Sequence, residues 1–227
     1  MKDTIPFRGV GIPVIRVTIN SWRESYRLNE WPLEKELELA LQFFQEKYAE
    51  DKLAGIIYLQ EHLYHQFNWK ELLPKFENLF KENLIFDWNV CDWFSVRLLG
   101  PMIRQNGMPF AKSLAVWKDA SYLWQARSAL VPFTAVSGDT TYYLLIKTIA
   151  TTLIHRQERF AKTAVGWILR DISEHTPEYV AQFLTGNLAH FTTETIRNAT
   201  KYFEKEKQQR WIDKFKKSGK SGINEAG

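Results

Sequence analysis

The chain has 227 residues, 45% of them hydrophobic and 15% aromatic, which is ample for burial and excludes global disorder. Its net charge of +4 at pH 7 is too small for average charge alone to argue for a nucleic-acid partner, and a single cysteine, Cys91, excludes an internal disulfide framework. No apolar run reaches the ~18 residues that a membrane span requires, and the opening MKDTIPFRGV lacks the apolar stretch of a signal peptide, so a soluble cytoplasmic protein is expected.

In chain order the pattern predicts helices arranged in pairs. Leu33 to Ala49 carries apolar residues at Leu33, Leu37, Ala40, Leu41 and Phe44, the spacing of one helix face, with Pro32 just ahead of it. Leu53 to Tyr64 makes its partner. Trp69 to Lys81 and Trp88 to Leu98 form the next pair, with Pro101 expected to end the second helix because proline lacks the ladder's donor. Phe110 to Ala120 pairs with Tyr122 to Thr134, and Ser137-Gly138-Asp139 reads as a turn. Thr140 to Ile154 pairs with Glu158 to Ser173. Thr176-Pro177 opens a short helix to Leu184, which Gly186-Asn187 should stop. Thr192 to Phe215 closes the array, and TTET offers a capping box from Thr192 or a neighbour. Residues 216–227, rich in Gly, Ser and Lys, are expected to form a disordered tail after a single domain spanning 1–215. No segment alternates with period two over strand length, so the expected fold is all-α.

A repeat underlies the pairs. Asp92, Arg127, Lys162 and Arg197 follow one another at intervals of 35 residues, within the similar segments NVCDWFSV, WQARSALV, FAKTAVGW and TIRNATKY. One step back falls on Ile57 in KLAGIIYLQ. A fixed period of this size is the signature of stacked helix pairs of the HEAT-like kind, in which equivalent positions line one face. The first helix of each pair is expected on the convex side and the second in a concave groove. The repeat line falls on the second helices, so Asp92 and Arg127 should share that groove. A row of cations with one carboxylate suggests a surface that holds an anionic polymer and does chemistry at one point.

Trp88 and Asp92 are one helical turn apart and share a face. An aspartate near a helix start is often a cap, and a tryptophan is often core, so a structural role stays open for both. Arg127 allows either a function or a repeat-to-repeat ion pair with Asp92. Trp167, five residues after Lys162, has a core reading as well. Other signals carry little. His62 and His65 lack a third metal ligand. Gly9-Val10-Gly11 follows no strand and lacks the later glycines of a phosphate loop. Asn198-Ala199-Thr200 is a sequon within a helix, and Cys91 has no partnering motif for nucleophilic catalysis.

WNVCD at 88–92, WQARSAL at 124–130 and AVGWILRD at 164–171, together with FRGVGIPVIR at 7–16, resemble the DNA alkylation-repair glycosylases of the AlkC/AlkD type over roughly residues 7–205. The Gly-Trp-x-Leu-Arg-acid stretch followed by Pro177 is the most specific part. The resemblance implies a HEAT-like solenoid that cradles duplex DNA in a basic concave groove and hydrolyses the N-glycosidic bond of cationic N3- or N7-alkylated purines. It implies double-stranded DNA as partner, a monomer associated with the nucleoid when bound, and neither metal nor organic cofactor. By position it implies a catalytic set of Trp88, Asp92, Arg127 and Trp167, and phosphate contacts from Arg127, Lys162, Arg170 and Arg197. Asp92 would stabilise positive charge on the sugar and orient the attacking water. The two indoles would attract the cationic base, and Arg127 would hold a phosphate bidentately. Arg8 and Arg16 are weaker phosphate candidates, and Arg170 could instead pair with Glu174. Trp93 and Trp124 are expected in the core, the alternative being that they narrow the groove. Asn89 stands where an acidic residue often follows the tryptophan, and Cys91 where a small aliphatic is usual. Members usually carry helices ahead of the point reached here by Phe7. Two rivals are a non-catalytic relative that recognises distorted or branched DNA, and a protein-interaction scaffold with an apolar concave face.

Overall fold

A computed structural model describes residues 5–221, and no strand occurs among them. The all-α expectation therefore holds. The chain divides into two compact units, Met1–Phe110 and Ala111–Gly227.

In the first unit, α1 (Ile12–Ser25) was not anticipated: its proline lies in the first turn, where the missing donor costs nothing. Next come α2 (Leu33–Gln42) and α3 (Ala49–Tyr58). The helix expected from Leu33 to Ala49 is thus shorter, and its expected partner, Leu53 to Tyr64, starts earlier, at Ala49. A 3₁₀ turn at Phe43–Gln45 ends the first, and extended backbone at Glu46 and Tyr48 leads into α3. The end is held by Lys52, a buried lysine whose Nζ donates to the Phe44 carbonyl and lies 5.5 Å from the Phe86 ring. α4 (Trp69–Lys81) matches the expected range, and Asn68 caps it by accepting from the Lys70 amide.

α5 (Trp88–Phe94) passes into a π turn at Ser95–Leu99 and then into α6 (Gly100–Ala115). Pro101 therefore does not end the helix. The π turn opens the ladder just where proline has no donor to give. The break falls instead at Gly107, whose φ of 63° and ψ of −150° suit only glycine. A second π turn, Leu59–Leu63, follows α3, so α3 and α5 both pass into a π turn at their C-terminal ends. Phe94 anchors α5: Phe44, Phe76 and Phe80 meet its ring edge-on at 5.9, 5.2 and 5.8 Å. All four rings are fully buried.

The second unit holds α7 (Leu123–Ser128), α8 (Tyr143–Ile154), α9 (Arg159–Ser173), α10 (Pro177–Asn187), α11 (Thr193–Ala199) and α12 (Lys205–Ser221). Helix α10 runs through Gly186, beyond the expected stop at Leu184. Thr192 caps α11 by accepting from the Thr195 amide, as TTET suggested, but the helix breaks after Ala199, so Thr192 to Phe215 is two helices. The gap is bridged by Gln208, whose Nε2 donates to the Arg197 and Thr200 carbonyls at 3.2 and 3.0 Å. The expected tail from 216 is helical through Ser221; residues 222–227 lie outside the described residues.

The repeat appears here as interactions between equivalent positions. Arg159 and Glu194 form a two-bonded ion pair at 2.6 and 2.9 Å across 35 residues. Tyr179 donates to the Tyr143 carbonyl at 2.9 Å, and their rings lie 4.6 Å apart. Arg156 donates to the Ala120 and Ser121 carbonyls at 2.7 and 2.9 Å. Helices α9 and α11 approach each other closely. A Cβ at Gly166 would meet Thr195 Cγ2 at 3.0 Å and the Thr195 carbonyl at 3.1 Å, so only glycine lets the two helices touch.

Two substitutions test this packing by denaturant unfolding. Phe94→Ala should destabilise the protein by about 3–5 kcal/mol, since it empties the site of three edge contacts. Gly166→Val should cost about 1–3 kcal/mol through overpacking against α11.

Candidate active site

Asp87 caps α5 by accepting from the Asn89 and Val90 amides at 2.8 and 3.4 Å. The helix buries Val90, Cys91 and Phe94. That orientation leaves the opposite face to Trp88, which is 52% exposed, and to Asp92, which is half-buried. Trp88 is therefore not a core residue, and the helix cap is Asp87, not Asp92. Trp93 is half-buried and carries Arg97 over its ring at 5.0 Å, so it is not fully in the core. Arg97, exposed and one turn beyond Trp93, went unremarked in the sequence, although the spacing of four was there to find.

Arg127 is only 4% exposed. Its Nη1 donates to the Phe160 carbonyl at 2.6 Å and to Thr163 Oγ1 at 3.2 Å, at the first turns of α9. A bidentate phosphate grip requires an open guanidinium fork. This geometry instead favours a side chain that ties α7 to α9. Trp124 lies beside it, half-buried, with its ring 5.2 Å from Phe160.

Helix α9 presents Trp167 half-buried, next to Gly166 and its contact with α11. Arg170 lies 5.7 Å over the Trp167 ring and pairs with Asp171 at 2.7 Å, not with Glu174 as the four-residue spacing suggested. Burial lifts the Asp171 carboxyl above its usual value, while hydrogen bonds from Arg170 and the Trp167 indole act to lower it. Indole, guanidinium and carboxylate thus form one cluster on α9. Asp171 was missed as its hub, though an acid four residues after a tryptophan marks the same helix face.

Of the remaining cations, Lys162 is half-buried and donates from Nζ to the His190 carbonyl at 2.6 Å, while Arg197 is exposed on α11. Arg8 and Arg16 pair with Asp51 and Glu61 in the first unit. His62 is held by Asn20 at 2.8 Å and packs against Tyr58. Among the described residues, no group of three or more His, Cys, Asp or Glu could hold a metal ion, and no helix is long and apolar enough to cross a membrane.

A helical array of this kind, with a Gly-Trp-x-Leu-Arg-Asp helix packed closely on its neighbour at Gly166, defines an all-α helical-repeat protein. The sequence model of the DNA alkylation repair enzyme family matches residues 1–203, and the chain belongs to that family. Its role lies in the repair of alkylated DNA. Among solved structures it is similar to a predicted DNA alkylation repair enzyme from Enterococcus faecalis, with 19% identity and a TM-score of 0.75, over 88% of this chain and 89% of that one. It is also similar to AlkD2 from Streptococcus mutans, with 14% identity and a TM-score of 0.63, over 89% of this chain and 95% of that one. At these identities the likeness is one of fold. No curated protein matches the chain.

Arginine burial separates two positions of the repeat line. Arg127→Ala should destabilise the protein by about 1.5–3 kcal/mol, as expected when buried hydrogen bonds from a charged donor are lost. Arg197→Ala should leave stability within about 0.5 kcal/mol. Thermal or denaturant melts of the two variants check this.

Proposed function

We propose that the protein is a DNA glycosylase that hydrolyses the N-glycosidic bond of cationic N3- or N7-alkylated purines in duplex DNA and leaves an abasic site. The observation that carries this reading is Trp88 and Asp92, one turn apart on the open face of α5, in a chain of the DNA alkylation repair family.

The chemistry suits these residue types. An alkylated purine already bears positive charge, so it leaves without protonation and a second carboxylic acid is unnecessary. As the C1′–N bond breaks, its electron pair neutralises the purine, and positive charge develops on the deoxyribose. The Asp92 carboxylate stabilises that charge, orients water toward C1′ and accepts the proton released as the new C1′–O bond forms. The Trp88 ring offers a negative π face to the cationic base and sugar, and Trp167 is the corresponding indole in the second unit. Arg127, buried and tied to α9, acts by positioning that helix. Arg197 and Lys162, with Arg170 beside Trp167, contact the phosphate backbone. The protein works as a monomer in the cytoplasm, on the nucleoid when bound, and without metal or organic cofactor.

The test is release of free N7-methylguanine and N3-methyladenine from methylated duplex DNA. Asp92→Asn should lower the release rate by about 10²-fold or more while leaving DNA affinity within about threefold. Full activity in Asp92→Asn overturns the mechanism. DNA binding by the wild type without any base release would favour a relative that only recognises damaged or distorted duplex. Arg197→Ala should reduce the slope of log affinity against log salt by about 1, as loss of one phosphate contact does.

A further inference from the structure

The first unit holds a cavity of about 600 Å³ between α1 and the start of α3, within the size range of small-molecule sites. Its walls are mainly apolar. Val14, Ile15 and Trp22 come from α1, and Phe43 closes one side with its ring edge-on to Trp22 at 5.8 Å and 82°. The polar end is made by Glu50 and Asp51, the second and third residues of α3.

These two carboxylates are each half used. Glu50 is 5% exposed, and its Oε1 accepts from the Arg8, Gly9 and Val10 amides at 2.9, 2.8 and 3.2 Å. Asp51 Oδ1 pairs with the Arg8 guanidinium. Glu50 Oε2 and Asp51 Oδ2 are both buried and have no hydrogen-bond partner among the described residues. Burial opposes charge on Glu50, but the backbone N–H bonds outweigh it and hold the carboxyl below its usual range, so it is ionised at neutral pH. Arg8 pairs with Asp51 and Lys52 acts on Asp51 as well, whereas Glu50 accepts only from backbone amides and forms no ion pair of its own among the described residues. Buried acceptors without donors are costly. The complement is a group with several N–H donors and a single positive charge, and the aromatic corner of Trp22 and Phe43 favours a cation as well.

We infer that this cavity binds a small organic monocation, an ammonium or amidinium group carried on an apolar body. The head would donate to Glu50 Oε2 and Asp51 Oδ2, and the body would lie along α1. None of these residues belongs to the proposed glycosylase chemistry, so the inference stands or falls apart from it.

The experiment is calorimetric titration of the whole chain with phenylbutylamine, and with phenylbutanol and phenylbutyrate as the neutral and anionic analogues. The amine should bind about tenfold or more tightly than the alcohol, the margin expected of hydrogen bonds to a charged acceptor, and the acid should bind most weakly. Glu50→Gln keeps one carbonyl for the three amides and replaces the unpartnered oxygen by a donor, so the preference for the amine should disappear. Asp51→Asn reads the same charge term should Glu50→Gln lower the melting temperature. Val14→Trp, at an exposed site on the cavity wall, should block both amine and alcohol while the protein stays folded. Equal binding of the three analogues, amine binding that survives Val14→Trp, or no amine binding up to millimolar concentration would each overturn the inference.

Discussion

The second unit depends on one constraint: backbone carbonyls near helix ends and connections must find donors, and here the donors arrive from about one repeat away in sequence. Helix ends leave carbonyls that their own ladder cannot satisfy. Arg156 reaches the connection at Ala120 and Ser121, and Lys162 reaches His190 at the end of a 3₁₀ turn. Tyr179 and Arg127 make bonds of similar span to carbonyls in the first turns of α8 and α9, at Tyr143 and Phe160, where they add a second donor to a carbonyl the ladder already uses. Such bonds fix the offset between successive helix pairs, because a shift of one residue would carry each donor away from its acceptor. The 35-residue period is the sequence trace of that offset. It selects long polar side chains at equivalent heights whether or not any of them touches DNA.

This explains why the repeat line was legible but its exposure was not. Periodicity reports that Asp92, Arg127, Lys162 and Arg197 occupy equivalent positions; it does not report what lies above them. Arg127 is buried against α9, while Arg197 on α11 is open to solvent. The same limit applies to Arg170. A spacing of four pointed to Glu174, but in the fold the adjacent Asp171 is turned toward the Trp167 side of α9 and takes the guanidinium. Trp88 and Asp92 were easier to read. The apolar set Val90, Cys91 and Phe94 leaves one face of α5 for them, and Asp87 already serves as the cap.

Helix boundaries failed where tertiary partners overrode local signals. Pro101 looked like a terminator, yet the π turn at Ser95–Leu99 accommodates it and the break moves to Gly107. Gly186 looked like a stop, yet α10 continues through it, in a place where an added Cβ would meet nothing. Helix α1 was missed altogether. Much of its attachment is polar: Arg23 pairs with Glu36 at 2.6 Å, Asn20 joins His62 and Glu61, and Arg16 pairs with Glu61. A helix held in this way shows a weaker apolar stripe than one that packs by hydrophobic contact alone.

The modest net charge is reconciled with a DNA partner by the same pairing. Arg16, Arg23, Arg27, Arg156 and Arg159 are each engaged by a carboxylate, so much of the basic content is already neutralised within the protein. What a polyanion meets is set by the cations left facing solvent, such as Arg97 and Arg197, and not by the sum over the chain. A phosphate backbone rewards each neutralised charge by counterion release, so a few well-placed cations suffice for binding. In the proposed reaction, chemistry would then require only one carboxylate beside an aromatic face, because a cationic lesion brings its own positive charge. That is the combination α5 offers with Asp92 and Trp88. It also accounts for a fold that invests most of its ionic groups in register and few in the reaction.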